Sequence, residues 1–232
     1  ENEKKKNEHA FHKHFMYWKT RHVRRTPKGW EPPTDEVQMN YEEWIQKAQG
    51  VQDDENGHER WYFRINAILD ENHGFLYQEF PMFLPDKPRF MMVDHKEQRG
   101  INCRFGMKGV IAEAHYDQGR NFIVLMGGQR RYILAHPREC SNMCLYGFEH
   151  PSGRHSAVDW TQPNLRKYPR FARARVNEVV LQAGDALYLP TSWFHFIISL
   201  NVNYQCNARS GTTKQYQRYV KDECIMLDND DE

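Results

Sequence analysis

The run Ala114-His115-Tyr116-Asp117 places an imidazole and a carboxylate two positions apart. On a strand, alternate side chains share a face, so His115 and Asp117 point the same way while Tyr116 points away. Such a pair can reach one metal ion. Alone it is a weak signal, and a third ligand must come from elsewhere. The best source is Gly184-Asp185-Ala186-Leu187-Tyr188-Leu189-Pro190-Thr191-Ser192-Trp193-Phe194-His195. There a Gly-Asp turn leads into an apolar strand, a bend at Pro190 follows, and His195 stands among aromatics at the start of another strand. Two histidines and one carboxylate on one face, with the other positions open, form the facial triad of non-haem Fe(II) oxygenases. Nitrogen and oxygen ligands without thiolate argue against structural zinc. Taken singly, His195 also fits a core histidine satisfied by a backbone carbonyl, and Asp117 a turn or pairing residue. Together, in this order and on strands, they favour a metal site.

The elements that must position these residues are mostly short strands. Trp61-Tyr62-Phe63-Arg64-Ile65 is aromatic and β-branched and reads as a strand. Further strands are expected at 103–107, 109–116, 121–126, 131–134, 178–181, 186–189, 194–199 and 203–207. Gly127-Gly128, Ala183-Gly184-Asp185 and Leu200-Asn201 supply turns between some of them. Many short strands with regular turns imply a sandwich or small barrel. The stretch 138–177, rich in Pro, Gly, Asp and Arg, interrupts them as a long insertion, and long ordered loops are often functional.

N-terminal to the strands, residues 1–59 read as a helical and linker region. Phe11, Phe15, Trp18 and His22 recur at helical spacing, so an amphipathic helix is expected over 8–22. It reads as a helix docked on the domain by one stripe, with a basic arm for an acidic partner as the alternative. Pro27, Gly29, Pro32 and Pro33 mark a linker. A second helix is expected over 40–49, capped by Asn40 with Glu43 three residues on, and with Tyr41, Trp44, Ile45 and Ala48 on one face. Residues 60–210 form the β domain and 211–232 a C-terminal tail, whose acidic end, Asp228 to Glu232, is expected to be solvated.

Composition bounds the rest. A chain of 232 residues with 13% aromatics can bury a real core and is not disordered. Its net charge of +1 provides no global field for nucleic acid or an acidic surface. It contains no apolar run long enough for a membrane span. The expected residence is the cytoplasm or nucleus, with a trimmed upstream signal or anchor left open. The cysteines Cys103, Cys140, Cys144, Cys206 and Cys224 are odd in number and lack a CxxC pair, so unpaired thiols are expected. The C-x3-C of Cys140 and Cys144 is a weak metal or disulfide hint.

From about Glu59 to Asn207 the sequence resembles the JmjC/cupin family of 2-oxoglutarate oxygenases, nearest in pattern to the protein hydroxylases typified by the asparaginyl hydroxylase of hypoxia-inducible factor. The blocks that carry the likeness are Glu59-Arg60-Trp61-Tyr62, Ala114 to Asp117 with Asn121-Phe122, Gly128-Gln129-Arg130-Arg131-Tyr132-Ile133-Leu134, Arg154-His155-Ser156-Ala157-Val158-Asp159, and Gly184 to His195. The resemblance implies a mainly β fold, a double-stranded β-helix or jelly roll with the metal inside one open end and the N-terminal helices flanking it. It implies Fe(II) on His115, Asp117 and His195, which are thereby also the catalytic set. It implies 2-oxoglutarate held by Arg130 and Tyr62 at its distal carboxylate, with Arg131 the alternative to Arg130, and by Asn121 and Asn207 near its chelating end. Arg130 stands where the family usually has lysine. Arg154 and His155 match a substrate-side loop.

The same resemblance implies consumption of 2-oxoglutarate and O2, release of succinate and CO2, and hydroxylation of a C–H on a protein or peptide side chain. Lysine demethylation within the same family is the alternative. Two rivals stay open: a cupin doing hydrolase or isomerase chemistry on another divalent metal, and a non-catalytic cupin binding module. No nucleic-acid or membrane signal is present, and a homodimer is left open.

Overall fold

The computed structural model describes residues 15–18, 34–37, 39–52, 60–67, 74–84, 95–150 and 152–227. Its strands are β1 (Phe15–Trp18), β2 (Thr34–Val37), β3 (Arg60–Ala67), β4 (Gln98–Gly106), β5 (Ile111–Tyr116), β6 (Arg120–Gly127), β7 (Gln129–Ala135), β8 (Asn177–Gln182), β9 (Ala186–Leu189), β10 (Phe194–Ser199) and β11 (Asn203–Ser210). The helices are α1 (Tyr41–Gln52), α2 (Gly74–Glu79) and α3 (Lys214–Asp222). Two sheets result, a large one ordered β2-β1-β3-β4-β11-β6-β9 and a small one ordered β5-β10-β7-β8. Their pairings are antiparallel. The fold is mainly β, as expected, and consistent with a jelly roll.

Strand alternation decides which side chains line the space between the sheets. In β11, Cys206 and Ala208 join Ile101 and Cys103 of β4 in a cluster covered by Leu76 and Tyr77 of α2 and by Phe83. Phe63 of β3 and Met107 pack likewise under Trp44 and Ala48 of α1. The intervening residues of β11, Asn203, Gln205, Asn207 and Arg209, therefore face the other way, toward the small sheet. An apolar plug of Ile123, Leu125, Tyr132, Leu134, Leu181, Leu189 and Ile197 closes part of that inner space. Burying side chains of this size contributes roughly 1.5–3 kcal/mol each, before chain entropy is counted.

Helix α1 starts as its sequence dictates. The Asn40 side chain accepts from the Glu43 backbone N–H at 2.8 Å, and the Asn40 N–H donates back to Glu43 at 3.0 Å. This reciprocal box satisfies donors that the first helical turn leaves open. The insertion covers the outer face of the small sheet, where Trp160 packs on Phe196 at 5.9 Å.

Four expectations need correction. The helix proposed over 8–22 is replaced at Phe15–Trp18 by strand β1, paired to both β2 and β3; the rest of that span lies outside the described residues. The spacing of Phe11, Phe15, Trp18 and His22 suits a helix, and pairing with β2 and β3 overrode that local pattern. The stretch read as a tail contains α3, whose buried Val220 joins Cys140, Met143 and Phe194. Helix α2 was not anticipated. Cys103 and Cys206 are not free thiols. They stand directly opposite on β4 and β11 with Cα atoms 4.0 Å apart and form a disulfide, whereas Cys140, Cys144 and Cys224 remain free. Their 103-residue separation concealed the pair. The Pro27–Pro33 linker and the acidic end at 228–232 lie outside the described residues.

Candidate metal centre

His115 and His195 are brought together by the register of the small sheet. They are paired residues on β5 and β10, with ring centroids 4.2 Å apart. Asp117 follows β5 directly, and its carboxylate lies 3.9 Å from the His195 Nε2. One ligand atom from each residue lies within 4.8 Å of the others. The two segments are tied through the backbone, since the Ser192 N–H donates to the Asp117 carbonyl at 2.9 Å. Ser192 takes a φ of +61° to make that turn, a left-handed conformation uncommon for a residue with a Cβ.

Each ring is oriented by its own strand. His115 Nδ1 lies 2.7 Å from the Glu113 carbonyl and His195 Nδ1 lies 3.0 Å from the Trp193 carbonyl. A carbonyl only accepts, so both Nδ1 atoms carry the proton and both Nε2 atoms present lone pairs. Burial lowers the proton affinity of both rings. His195 lowers that of His115 further, and Asp117 opposes the shift in each. Burial also disfavours ionised Asp117, but His115 and His195 when protonated, and Arg209 and Arg104, outweigh it and hold the carboxyl below the ordinary range. The centre therefore offers two neutral imidazoles and one carboxylate, a donor set that fits a divalent metal keeping open positions.

Deeper in the roll, Arg130 is 4% exposed and bonds Asn203 through Nε and Gln205 through an Nη at 2.8 Å. The Tyr132 hydroxyl donates to the same Gln205 oxygen. Gly106 makes room here, because a Cβ on it would stand 3.0 Å from an Arg130 Nη and 2.9 Å from the Ser199 hydroxyl. Burial lowers the proton affinity of Arg130, while Tyr132 and Tyr62 raise it. Among the described residues no carboxylate pairs with Arg130. A buried guanidinium with only amide and hydroxyl neighbours lacks a counter-charge. A bound dicarboxylate would provide one. Arg131 points outward instead, with both nitrogens on Glu178 at 2.6 and 2.8 Å.

Asn121 and Asn207 meet, the amide of Asn207 donating to the Asn121 oxygen at 2.9 Å. Arg154 and His155 lie against the centre. Arg154 donates to the Tyr116 carbonyl at 3.1 Å and to Asp117 at 3.3 Å, and the His155 ring stacks on His115 at 5.1 Å. The structure thus brings His115, Asp117, His195, Arg154 and His155 together, while Arg130 and the Asn121–Asn207 pair are buried within the same roll. It adds several the motif reading passed over: Arg209, which donates to the other Asp117 oxygen at 2.6 Å, together with Gln205, Asn203 and Tyr132 around Arg130. The available signal was the polar residue at every second position of Asn203 to Arg209, the pattern of a strand with one polar face.

Comparison with known proteins matches residues 6–210 to the Cupin-like domain. The tRNA wybutosine-synthesizing protein 5 of Mus musculus is 32% identical over 120 residues, covering 52% of this chain and 34% of that protein. Lysine-specific demethylase 8 of Xenopus tropicalis is 27% identical over 174 residues, covering 70% of this chain and 37% of that protein. The JmjC domain-containing protein D of Dictyostelium discoideum is 32% identical over 104 residues, covering 45% and 23%. The chain spans 34–43% of the length of the wybutosine-synthesizing relatives from chicken, mouse and human. With its mainly β roll, its converging His-Asp-His set and a match over nearly its whole length, the chain belongs to the cupin-like, JmjC-type domain family.

Proposed function

We propose that this chain is an Fe(II)- and 2-oxoglutarate-dependent oxygenase that hydroxylates a protein side chain. The observation that carries the reading is the convergence of two Nε2 lone pairs and one carboxylate within 4.8 Å, in a roll that also buries an arginine with no carboxylate partner among the described residues. Loaded with Fe(II), 2-oxoglutarate and O2, such a centre supplies oxidative decarboxylation to succinate and CO2 coupled to insertion of one oxygen atom into a C–H bond.

The side chains would divide the work of positioning. His115, Asp117 and His195 would hold the metal, their geometry fixed beforehand by the Nδ1–H bonds to Glu113 and Trp193. Arg130 and Tyr62 would fix the far carboxylate of the cosubstrate, the guanidinium accepting it in place of the lysine usual in the family. The Asn121–Asn207 amide pair would border the chelating end. Arg154 and His155, at the rim of the centre, would meet the substrate. Apolar walls from Ile123, Leu125 and Ile197 would keep water from this space and a reactive oxidant from side reactions.

The demethylase and tRNA-modifying names among the relatives mark two other substrate classes. A methylammonium group calls for an aromatic or acidic pocket, and tRNA for a basic outer surface. An inner surface lined with arginines does not suit the first, and a net charge of +1 provides no global field for the second.

The test is turnover. Purified protein with Fe(II), ascorbate and 2-oxoglutarate should form succinate, and His115→Ala or Asp117→Ala should reduce it to background. Tight iron binding without succinate would favour a non-catalytic module.

A further inference from the structure

The insertion between β7 and β8 carries a charge pattern that the metal centre does not use. Five of the ten residues from 166 to 175 are basic, namely Arg166, Lys167, Arg170, Arg173 and Arg175, and the stretch 160–177 contains no Asp or Glu. A chain with 32 basic and 31 acidic residues has thus sorted its charge locally. The fold anchors this segment and turns its cations outward. Asn164 accepts from the Arg166 and Lys167 N–H groups at 3.2 and 3.1 Å, a 3-10 helix follows at Pro169–Arg173, and Phe171 packs on Trp160 at 5.4 Å. Arg166, Lys167, Arg173 and Arg175 are exposed, and Arg170 is half-buried.

Among the described residues no carboxylate pairs with any of the five. The acidic residues that flank or touch the segment are engaged elsewhere. Asp159 accepts from the Thr161 N–H and hydroxyl at 2.7 and 2.6 Å, and Glu178 pairs with Arg131 at 2.6 Å. Glu139 takes the Asn142 amide and the Arg175 backbone N–H, not a guanidinium. Like charges this close in the chain repel one another, and a partner of opposite sign relieves the repulsion. Two features say which partner. Leu165 and Val176, at the two ends of the run, are 47% and 46% exposed, whereas Tyr168 and Phe171 are not exposed and Lys167 lies over the Tyr168 ring at 5.3 Å. Single-stranded nucleic acid needs open aromatic faces on which bases stack, and exposed aliphatic side chains beside arginines suit a polypeptide. A cavity of about 190 Å³ with Lys167 and Arg170 in its wall gives one acidic side chain a recess.

We propose that segment 164–176 is a docking surface for an acidic stretch of a protein partner, its Asp and Glu carboxylates held by the arginine forks and its apolar residues resting on Leu165 and Val176. The segment lies on the outer side of the small sheet, because Phe171 packs on Trp160 and Trp160 on Phe196, while the adjacent His195 belongs to the metal centre. Docking there leaves the centre free and raises the local concentration of the side chain that the same partner presents to it. Naming that partner as the substrate rests on the oxygenase reading; the binding itself does not.

The experiment is a titration of the full chain without metal or cosubstrate. Fluorescein-labelled Glu-rich peptide pools with randomised aliphatic positions are followed by anisotropy, beside the same pools with Gln in place of Glu and a single-stranded RNA pool. The Glu pool should bind about tenfold more tightly than the Gln pool at low salt, the combined worth of several exposed ion pairs, and the gap should narrow as NaCl is raised. Arg166→Gln with Lys167→Gln and Arg173→Gln should erase the preference, while Lys47→Gln with Lys214→Gln and Lys221→Gln, which removes as many cations elsewhere, should keep it. If the first triple variant does not fold, Arg173→Gln alone should weaken Glu-pool binding and Lys214→Gln should not. Equal binding of the two peptide pools, an equal loss in both triple variants, or tighter binding of RNA that the first variant abolishes would each overturn the proposal. The acidic residues Asp228, Asp230, Asp231 and Glu232 follow Leu227, which lines the same cavity, so the chain carries a competitor of its own. Binding of the Glu pool seen only after those four are changed to Asn and Gln would make them the occupant and likewise overturn the proposal. Succinate formation is measured in parallel. Succinate without Glu preference sinks this proposal and leaves the oxygenase. Glu preference without an iron-dependent reaction keeps the docking surface and sinks the oxygenase.

Discussion

At the residue scale, the centre is held in place by its own backbone and by neighbouring arginines. Two backbone carbonyls fix both histidine tautomers, and Asp117 is held from two sides by Arg154 and Arg209. Preorganisation of this kind has a consequence in the metal-free protein. His115 and His195 both take up protons less readily when folded than the ordinary histidine value of 6.5. As pH falls through that value, the unfolded chain binds the protons first, so folding stability declines. The urea midpoint of metal-free protein should therefore drop between about pH 7.5 and about pH 5.5, and replacing both histidines with glutamine should flatten the dependence. An unchanged midpoint in the wild type would show that the rings are not buried neutral.

At the scale of elements, the β6–β7 hairpin aims Arg130. Gly128 takes a φ of +71°, and a Cβ there would collide with the Val202 carbonyl oxygen. The turn is closed by the Asn201 side chain, which accepts from the Gln129 N–H at 2.8 Å. Gly128→Ala should cost at least about 2 kcal/mol, combining left-handed strain with a backbone clash. Denaturant unfolding measures it, and a loss below about 0.5 kcal/mol, the size of a neutral surface change, would mean the turn relaxes freely. Much of this layer was legible in the sequence. The strands at 186–189 and 194–199 have the bounds expected, and the Asn40–Glu43 box forms as written. These features are encoded by neighbours in the chain. Strand β1 and the Cys103–Cys206 pair depend on partners far along the sequence, and local periodicity holds no record of them.

At the scale of the whole molecule, the large sheet separates two chemistries. Its outer face is apolar and sealed by α1 and α2, and its inner face is polar and turned toward the small sheet. The disulfide sits on the sealed outer side, bridging β4 and β11 at the middle of that sheet. Closing a loop of this span restricts the unfolded chain strongly, so Cys103→Ala with Cys206→Ala should lower stability by about 2–5 kcal/mol. Equal unfolding midpoints for the oxidised wild type and the double variant would contradict a formed bridge. Such bridges persist mainly where thiols are oxidised, so the redox state of this pair in cells also reports on the compartment. The site residues were legible for a related reason: His115, Asp117 and His195 lie in two short segments with distinctive local sequence. Arg209 was not, because an arginine on a strand is unremarked until the sheet shows which face it takes.

The central claim is that these three side chains bind one iron together with a chelating keto acid. Anaerobic addition of Fe(II) and then 2-oxoglutarate to the purified chain tests it without depending on an unknown substrate. A weak visible charge-transfer band should appear on adding the keto acid, saturate at one equivalent of iron, and be absent in His195→Ala. A wild-type protein that shows no band and no iron uptake would contradict the account.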